Sequence, residues 1–282
     1  RRDLAVPVTA GAWGLFAVFW FLLIHHFALI HRSAIQTVLV VVAVPACLYV
    51  GWQLYGGRES LLTLSRAIAF MTIIYLPFET SYVARQLLIE TVATQTAAVI
   101  DALGIGEGVR FVEDPTGETT FMNTFWFPET GQASRIVFAC TGIGSIAIFG
   151  GLIAAVDAPR RKKAIAATVS IAIIWVLNIG RNVFIAVSFG EQRMQILPGL
   201  VMTLFGLEDP QMVSYYVADR ILAQTGSVVV LVGITYFLVR ELPEITVLVE
   251  DLLFLLTGTE YDLATAFDRS AETEGVATPS DN

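Results

Sequence analysis

The feature that most constrains the fold is a series of long apolar segments that carry almost no charge. They lie at about 11–31, 34–56, 66–82, 134–156, 164–189 and 213–239. Most reach the roughly 20 residues that an α-helix needs to cross the hydrocarbon core of a bilayer. Lipid offers the backbone no hydrogen-bond partners, so only helices and closed barrels span it. The sequence therefore predicts an all-α, polytopic transmembrane helical bundle with about six to eight membrane helices.

The charged residues are few and unevenly distributed. Only 15% of the 282 residues are charged, against roughly 25% in soluble domains. The formal net charge of −8 comes from residues 241–282, which hold ten acidic residues and one basic residue. The other 240 residues hold fifteen acidic and sixteen basic residues. This pattern predicts an acidic, solvated cytoplasmic tail over 241–282, which also suits the high-salt cytoplasm of a halophile.

Two segments between the apolar windows have a different character. Residues 84–103 place charges within an apolar pattern, which predicts an amphipathic helix in the membrane interface. Residues 104–133 are rich in glycine, proline and acidic residues and predict the longest extracellular loop. The N-terminal unit of membrane helices and interfacial helix then covers 1–103, and a second set of membrane helices covers 134–240.

Basic residues beside the apolar segments predict the orientation in the membrane. The densest cluster, at 160–163, marks the cytoplasmic side by the positive-inside rule. Arg58, Arg66 and Arg240 fall on the same side, whereas Arg32 falls outside. In this orientation the 134–156 segment runs inward from the outer face.

Three residues then reach a similar depth on the outer side. Cys140, Arg181 and Arg220 each lie about 9–12 Å from the outer end of their predicted helices. An arginine inside a membrane costs about 2.5–3.5 kcal/mol on insertion scales and is usually functional. For both arginines the alternative is snorkelling to the head groups, or a structural salt bridge such as one with Asp219. Tyr215, near the start of its helix, suits the aromatic belt at the interface.

The cysteine supplies the best candidate for chemistry. A helical cysteine is usually a small apolar residue, but a nearby cation favours the thiolate, which is the nucleophile. Cys47 lies mid-span without charged neighbours and is interpreted as structural. His25, His26 and His31 could supply a base, although packing roles are favoured. No phosphate loop, dinucleotide fingerprint or zinc motif occurs, so no cofactor is expected.

Three motifs resemble the exosortase/archaeosortase family, and in particular its archaeosortases from haloarchaea. They are ACTGIGS at 139–145, NIGRN at 178–182 and ADRILAQ at 218–224. The resemblance implies that 134–240 holds catalytic membrane helices and that the protein is a multi-pass cell-membrane enzyme with its active site toward the extracellular side. It also implies a cysteine protease or transpeptidase that acts on surface proteins.

The same resemblance implies a substrate and residue roles. The expected clients, such as S-layer glycoprotein, end in a PGF-type motif, a transmembrane helix and a basic cluster. The enzyme cuts near the motif and couples the new C-terminus to a membrane phospholipid. Cys140 would form an acyl-thioester, Arg181 would donate a proton and Arg220 would stabilise the transition state. Bacterial exosortases have histidine at the position of Arg220, so this chain lacks an obvious general base.

Two alternatives remain open at the level of the sequence. One is an intramembrane thiol protease that releases its product by hydrolysis. The other is a lipid-binding or transport protein in which Arg181 and Arg220 bind an anionic head group, although no clear inverted repeat supports it. Nothing indicates a nucleic-acid partner.

Overall fold

The computed structural model describes residues 2–26, 34–106 and 108–263. His31, Arg32 and the end of the predicted acidic tail lie outside the described residues. Contacts divide the chain into two compact units. The first comprises Arg1–Ala69, Ala154–Ala158 and Pro243–Asn282, and the second comprises Phe70–Ile153 and Pro159–Leu242.

The helices occupy most of the described chain. They are α1 (Arg2–His25), α2 (Ala34–Tyr55), α3 (Leu61–Thr80), α4 (Tyr82–Leu103), α5 (Ile143–Ala155), α6 (Arg160–Gly190), α7 (Pro198–Phe205), α8 (Met212–Tyr215), α9 (Gln224–Glu241) and α10 (Thr246–Thr257). A π-helical segment, Tyr216–Ala223, joins α8 to α9. Short 3-10 turns cover Phe138–Thr141 and Pro243–Ile245.

Five helical segments in the described residues are long and apolar enough to cross a membrane. They are Leu4–His25, Thr37–Tyr55, Leu61–Thr80, Arg160–Gly190 and Met212–Glu241. The prediction of a polytopic helical membrane protein is therefore confirmed.

The segment predicted to span the membrane at 134–156 differs from the expectation. Its helix, α5, has only 13 residues and begins after Gly142. Gly142 adopts a left-handed conformation, with φ of 77°, which ends the 3-10 turn and prevents one continuous helix. Cys140 therefore lies in a turn before α5, and its predicted position inside a membrane helix is wrong.

In the first unit, the beginning of the acidic tail is folded rather than solvated. Asp251 of α10 has a side chain that is only 2% exposed and pairs with Arg58 Nε at 3.1 Å. The Ser60 hydroxyl donates a hydrogen bond of 2.8 Å to the same carboxylate. The uniformly solvated tail predicted from composition is corrected over α10, because Thr246, Leu248 and Asp251 are buried.

In the second unit, the segment predicted as a loop forms a small sheet. Strands β1 (Arg110–Glu113), β2 (Met122–Phe127) and β3 (Gln132–Arg135) pair antiparallel in the order β1-β2-β3. Phe125 and Phe127 of β2 are buried in a core shared with α4 and α6. The sheet therefore rests on the two helices and gives the second unit a rigid centre.

The end of α6 meets the sheet at very short range. A Cβ atom placed on Gly190 would clash with the ring of Phe127, so only glycine allows this approach. The Thr130 hydroxyl also donates a hydrogen bond to the Gly190 carbonyl. These contacts determine how α6, which carries the NIGRN motif at 178–182, packs against the sheet.

A buried carboxylate organises the turn between β1 and β2. The side chain of Asp114 is 1% exposed and pairs with Arg135 Nη1 at 2.8 Å. Hydrogen bonds from the Thr116 hydroxyl and backbone amide and the Thr119 hydroxyl, with the charge of Arg135, lower the pKa of Asp114 to about 2. The ionised form of Asp114 is therefore part of the folded turn.

Candidate active site

The turn that carries Cys140 is held on α6 by two amide side chains. The Nδ2 atoms of Asn178 and Asn182 donate hydrogen bonds of 2.8 and 2.9 Å to the Cys140 carbonyl oxygen. The two asparagines are four residues apart and share one helix face. Both acceptor sites of this carbonyl are thus used, and the backbone of the turn is fixed to the helix that carries Arg181.

Gly142 allows this close contact. A Cβ atom at Gly142 would lie 3.1 Å from Cγ of Asn178, and its positive φ is a conformation that other residues adopt only with strain. The glycine in the CTG sequence is therefore needed for both the turn and its packing.

Cys140 is a free, partly buried cysteine. Its side chain packs at the edge of the core shared by the sheet, α4 and α6. Reactive cysteines are usually partly exposed and near positive charge. Cys140 meets the first condition, because it is partly exposed. Cys47 is also free but is buried in the first unit.

Arg181 and Arg220 meet at one carboxylate. Arg181 Nη2 forms an ion pair with Asp219 Oδ1, and Arg220 Nε lies 3.6 Å from Asp219 Oδ2. The side chains of Arg181 and Asp219 are 23% and 11% exposed, whereas that of Arg220 is 60% exposed. The salt bridge considered as an alternative from the sequence is present, and it brings both arginines together.

Asp219 and Arg220 lie in the π-helical segment. A π-helix bonds each amide to the carbonyl five residues earlier, and such segments are frequent at functional sites. The Gln224 amide accordingly bonds the carbonyl of Asp219. This wider turn sets the directions in which the side chains of Asp219 and Arg220 extend from the helix. The pattern of apolar residues in the sequence does not indicate a π-helical turn.

Tyr215 is a neighbour of this cluster. It ends α8, four residues before Asp219, and the charge of Asp219 acts on its hydroxyl. Its ring packs edge-on against Phe189, with 5.6 Å between centroids. Tyr215 and Asp219 therefore belong to the site, although the sequence indicated only an interfacial belt and a structural ion pair for them.

An apolar cavity of about 490 Å³ lies beside Arg181. Its polar lining includes Gly142, Asn178 and Arg181, and its apolar lining includes Ile174 and Val230. Ile174 precedes Arg181 by seven residues, so the cavity extends roughly 10 Å along α6 from the charged cluster.

Of the histidines considered from the sequence, His25 ends α1 in the first unit, and His31 lies outside the described residues. Within the described part of the chain, no group of three or more His, Cys, Asp or Glu residues is placed to hold a metal ion.

Comparisons with known proteins agree with the motifs. A model of the transmembrane exosortase family matches residues 1–208, which include Cys140 and Arg181 but end before Arg220. Archaeosortase A of Natronomonas pharaonis is 62% identical over 91% of this chain and 82% of its own length. Archaeosortase A of Haloferax volcanii is 46% identical over 93% of this chain and 89% of its own length. No solved structure matches the chain significantly. The resemblance predicted from the three motifs is confirmed.

Proposed function

Because the chain belongs to the transmembrane exosortase family, we propose that it is a membrane cysteine transpeptidase for surface proteins. Its clients carry a C-terminal PGF-type signal followed by a transmembrane helix and a basic cluster, as S-layer glycoprotein would. The enzyme cleaves this signal and joins the new C-terminus to a membrane phospholipid.

The observation that carries the proposal is the contact of the Cys140 turn with the helix that bears Arg181. Asn178 and Asn182 bind the Cys140 carbonyl, and Arg181 lies between them in the sequence on the same helix. Asp219 connects Arg181 to Arg220. A thiol held on the helix that also carries a preorganised cationic donor supports acyl transfer.

The proposed reaction has two steps, acylation of Cys140 and transfer of the acyl group to the lipid. The Cys140 sulfur attacks the scissile carbonyl, the C–N bond breaks, and the departing amine takes up the proton that the thiol loses. A hydroxyl or amine of the acceptor lipid then attacks the thioester, the C–S bond breaks, and the acceptor's proton restores the thiol. The guanidinium groups donate hydrogen bonds to the carbonyl oxygen as its negative charge develops. This role suits arginine better than proton donation, since its side chain is not deprotonated in proteins.

The cavity beside Arg181 supports a lipid acceptor. A hydrocarbon chain fits this largely apolar space of about 490 Å³. Leu177 and Leu222 of the lining are 46% and 44% exposed, which supports entry from the surrounding lipid.

The basic residues support an active site toward the outer face. Arg160 begins α6 and Arg181 follows 21 residues later, roughly 31 Å along the helix axis. This distance is about the thickness of the hydrocarbon core. With residues 160–163 on the cytoplasmic side, the Arg181 cluster lies near the opposite interface.

The decisive experiment replaces the nucleophile in cells that lack their own copy of the enzyme. We expect Cys140→Ala to leave the client unprocessed, while Cys47→Ala, the matched control, processes it normally. Mass spectrometry of the client from the control strain should find a lipid on its new C-terminus.

Each alternative predicts a different result. A product with an unmodified carboxyl terminus would support a thiol protease that hydrolyses its client. Normal processing by Cys140→Ser would contradict a thioester and favour a lipid-binding protein in which the arginines alone are functional.

A further inference from the structure

Asp219 lies at the centre of the candidate site, yet neither step of the proposed chemistry uses its carboxylate. It is 8% exposed. A buried carboxylate is costly unless charges and hydrogen bonds compensate it. Two groups do so here, the guanidinium of Arg181 and the guanidinium of Arg220.

These partners come from different parts of the second unit. Arg181 belongs to α6 and Arg220 to the π-helical segment. Asp219 therefore joins the helix that holds the Cys140 turn to the segment that carries the second arginine. Long arginine side chains have many rotamers, and a carboxylate that binds the planar guanidinium removes most of that freedom.

The contact leaves arginine donors available for a substrate. A guanidinium has five N–H donors, and the ion pair with Asp219 is made through Nη2 of Arg181. The remaining donors of Arg181 are then held in a fixed direction instead of sampling several. Preorganised donors stabilise a developing oxyanion without reorganisation during the reaction.

The carboxylate also limits the positive charge near the thiol. Two guanidinium groups without Asp219 would leave a charge of +2 in the cluster, whereas the three groups together carry +1. The titratable groups that the described residues place around Asp219 are Arg181, Arg220, Tyr215 and, beyond Tyr215, Cys140. Removal of the Asp219 charge therefore favours the negatively charged thiolate.

We propose that Asp219 is a positioning residue, which holds the guanidinium of Arg181 in a fixed orientation and offsets the charge of the arginine pair. This proposal rests on the proposed function, because it assigns Asp219 a place in the same acyl-transfer site. Asp219 acts through its neighbours and does not itself contact the client.

The test uses Asp219→Asn in the full chain on a Cys47→Ala background, so that Cys140 is the one thiol. Cleavage of a client and alkylation of Cys140 by iodoacetamide across pH 6–10 are measured on the same membranes. We expect cleavage about 100-fold slower, the size of effect that a 1 Å misplacement produces. Alkylation should persist and shift to lower pH. Asp219→Glu, which keeps the charge, should recover part of the cleavage rate.

The matched control is Glu191→Gln, which breaks the Glu191–Arg193 ion pair of the same unit and should leave cleavage unchanged. Wild-type cleavage by Asp219→Asn would overturn the proposal. Loss of both cleavage and Cys140 alkylation would also overturn it, since that result shows a residue that only maintains the fold. Failure of the proposed function is separate, because in that case Cys140→Ala itself would process the client.

Discussion

The side-chain amide of Asn182 donates a hydrogen bond of 2.9 Å to the backbone carbonyl of Cys140. Asn182 is 2% exposed, so this contact is shielded from water. One buried amide thus determines where the nucleophile's backbone lies on α6, and the neighbouring Asn178 binds the same oxygen from one turn earlier.

Replacement of Asn182 should therefore slow catalysis more than it unfolds the protein. Asn182→Leu keeps a similar volume but removes the donor, and we expect roughly 10–100-fold slower client cleavage because the thiol is misplaced. Loss of one hydrogen bond costs only about 1 kcal/mol of stability. Initial cleavage rates and thermal unfolding in detergent would check both expectations.

The double variant with Asn178→Leu sharpens this test. Two donors on one oxygen should act as a unit, so their combined effect should differ from the sum of the single effects. Strict additivity in the cleavage rate would show that the two asparagines do not position the turn together.

The cavity beside Arg181 should be needed for transfer more than for cleavage. Gly226 lines it, and no atom lies within 4 Å of a Cβ placed there. Gly226→Leu should fill the space for a lipid chain, so the lipid-linked product should fall and the hydrolysed product should rise. Mass spectrometry of the client's C-terminus measures that ratio.

Gly233 offers a matched control on the same helix. It also has no atom within 4 Å of an added Cβ, and Gly233→Leu makes the same substitution in α9. If both variants changed the product ratio equally, the effect would come from the helix and the cavity would have no part in it.

The sequence predicted which residues of α6 share one helix face, but it did not predict the turn that carries Cys140. Asn178, Arg181 and Asn182 lie on one face because the helical period is 3.6 residues, and that pattern is visible in the motif. The turn at Cys140 was hidden because its residues are apolar and merge with those of α5. Gly142 is the residue that ends the turn, yet glycine is also common inside membrane helices.

The environment of Asp219 depends on long-range packing, which a single sequence does not reveal. Its neighbour Arg220 was identified because a charge inside an apolar segment is costly. The same argument applies to Asp219, but the sequence indicated only a structural salt bridge with an arginine. The π-helical geometry, which aims both side chains, follows from packing and leaves no periodic signal.

The small sheet should lose stability in strong acid. The pKa of Asp114 is lowered from 3.8 to about 2 in the folded protein, so its stabilising contribution is complete above about pH 4. That contribution is lost as the pH falls through about 2, because the unfolded state takes up the proton first. Hydrogen exchange of the strand amides between pH 7 and pH 2 would detect the change.

Asp114→Asn should remove this pH dependence and weaken the turn even at neutral pH. Glu118→Gln is the control, since Glu118 also pairs with Arg135 but its side chain is 71% exposed, and exposed pairs contribute little. An unchanged acid response in Asp114→Asn would assign the transition to another group.

Arg220 is the residue whose role most needs a kinetic test, because it is more exposed than Arg181 and only approaches Asp219 at 3.6 Å. If it stabilises negative charge on the attacked carbonyl, Arg220→Ala should bind its client normally and cleave it about 10²–10³-fold more slowly. If it promotes thiolate formation instead, lost activity should return at alkaline pH.

Cleavage and client binding by Arg220→Ala should be measured across pH 6–10, with Arg240→Ala of α9 as the matched control. We expect a low rate that does not depend on pH, with binding intact; recovery at high pH would assign Arg220 to thiolate formation, and full activity throughout would remove it from the site.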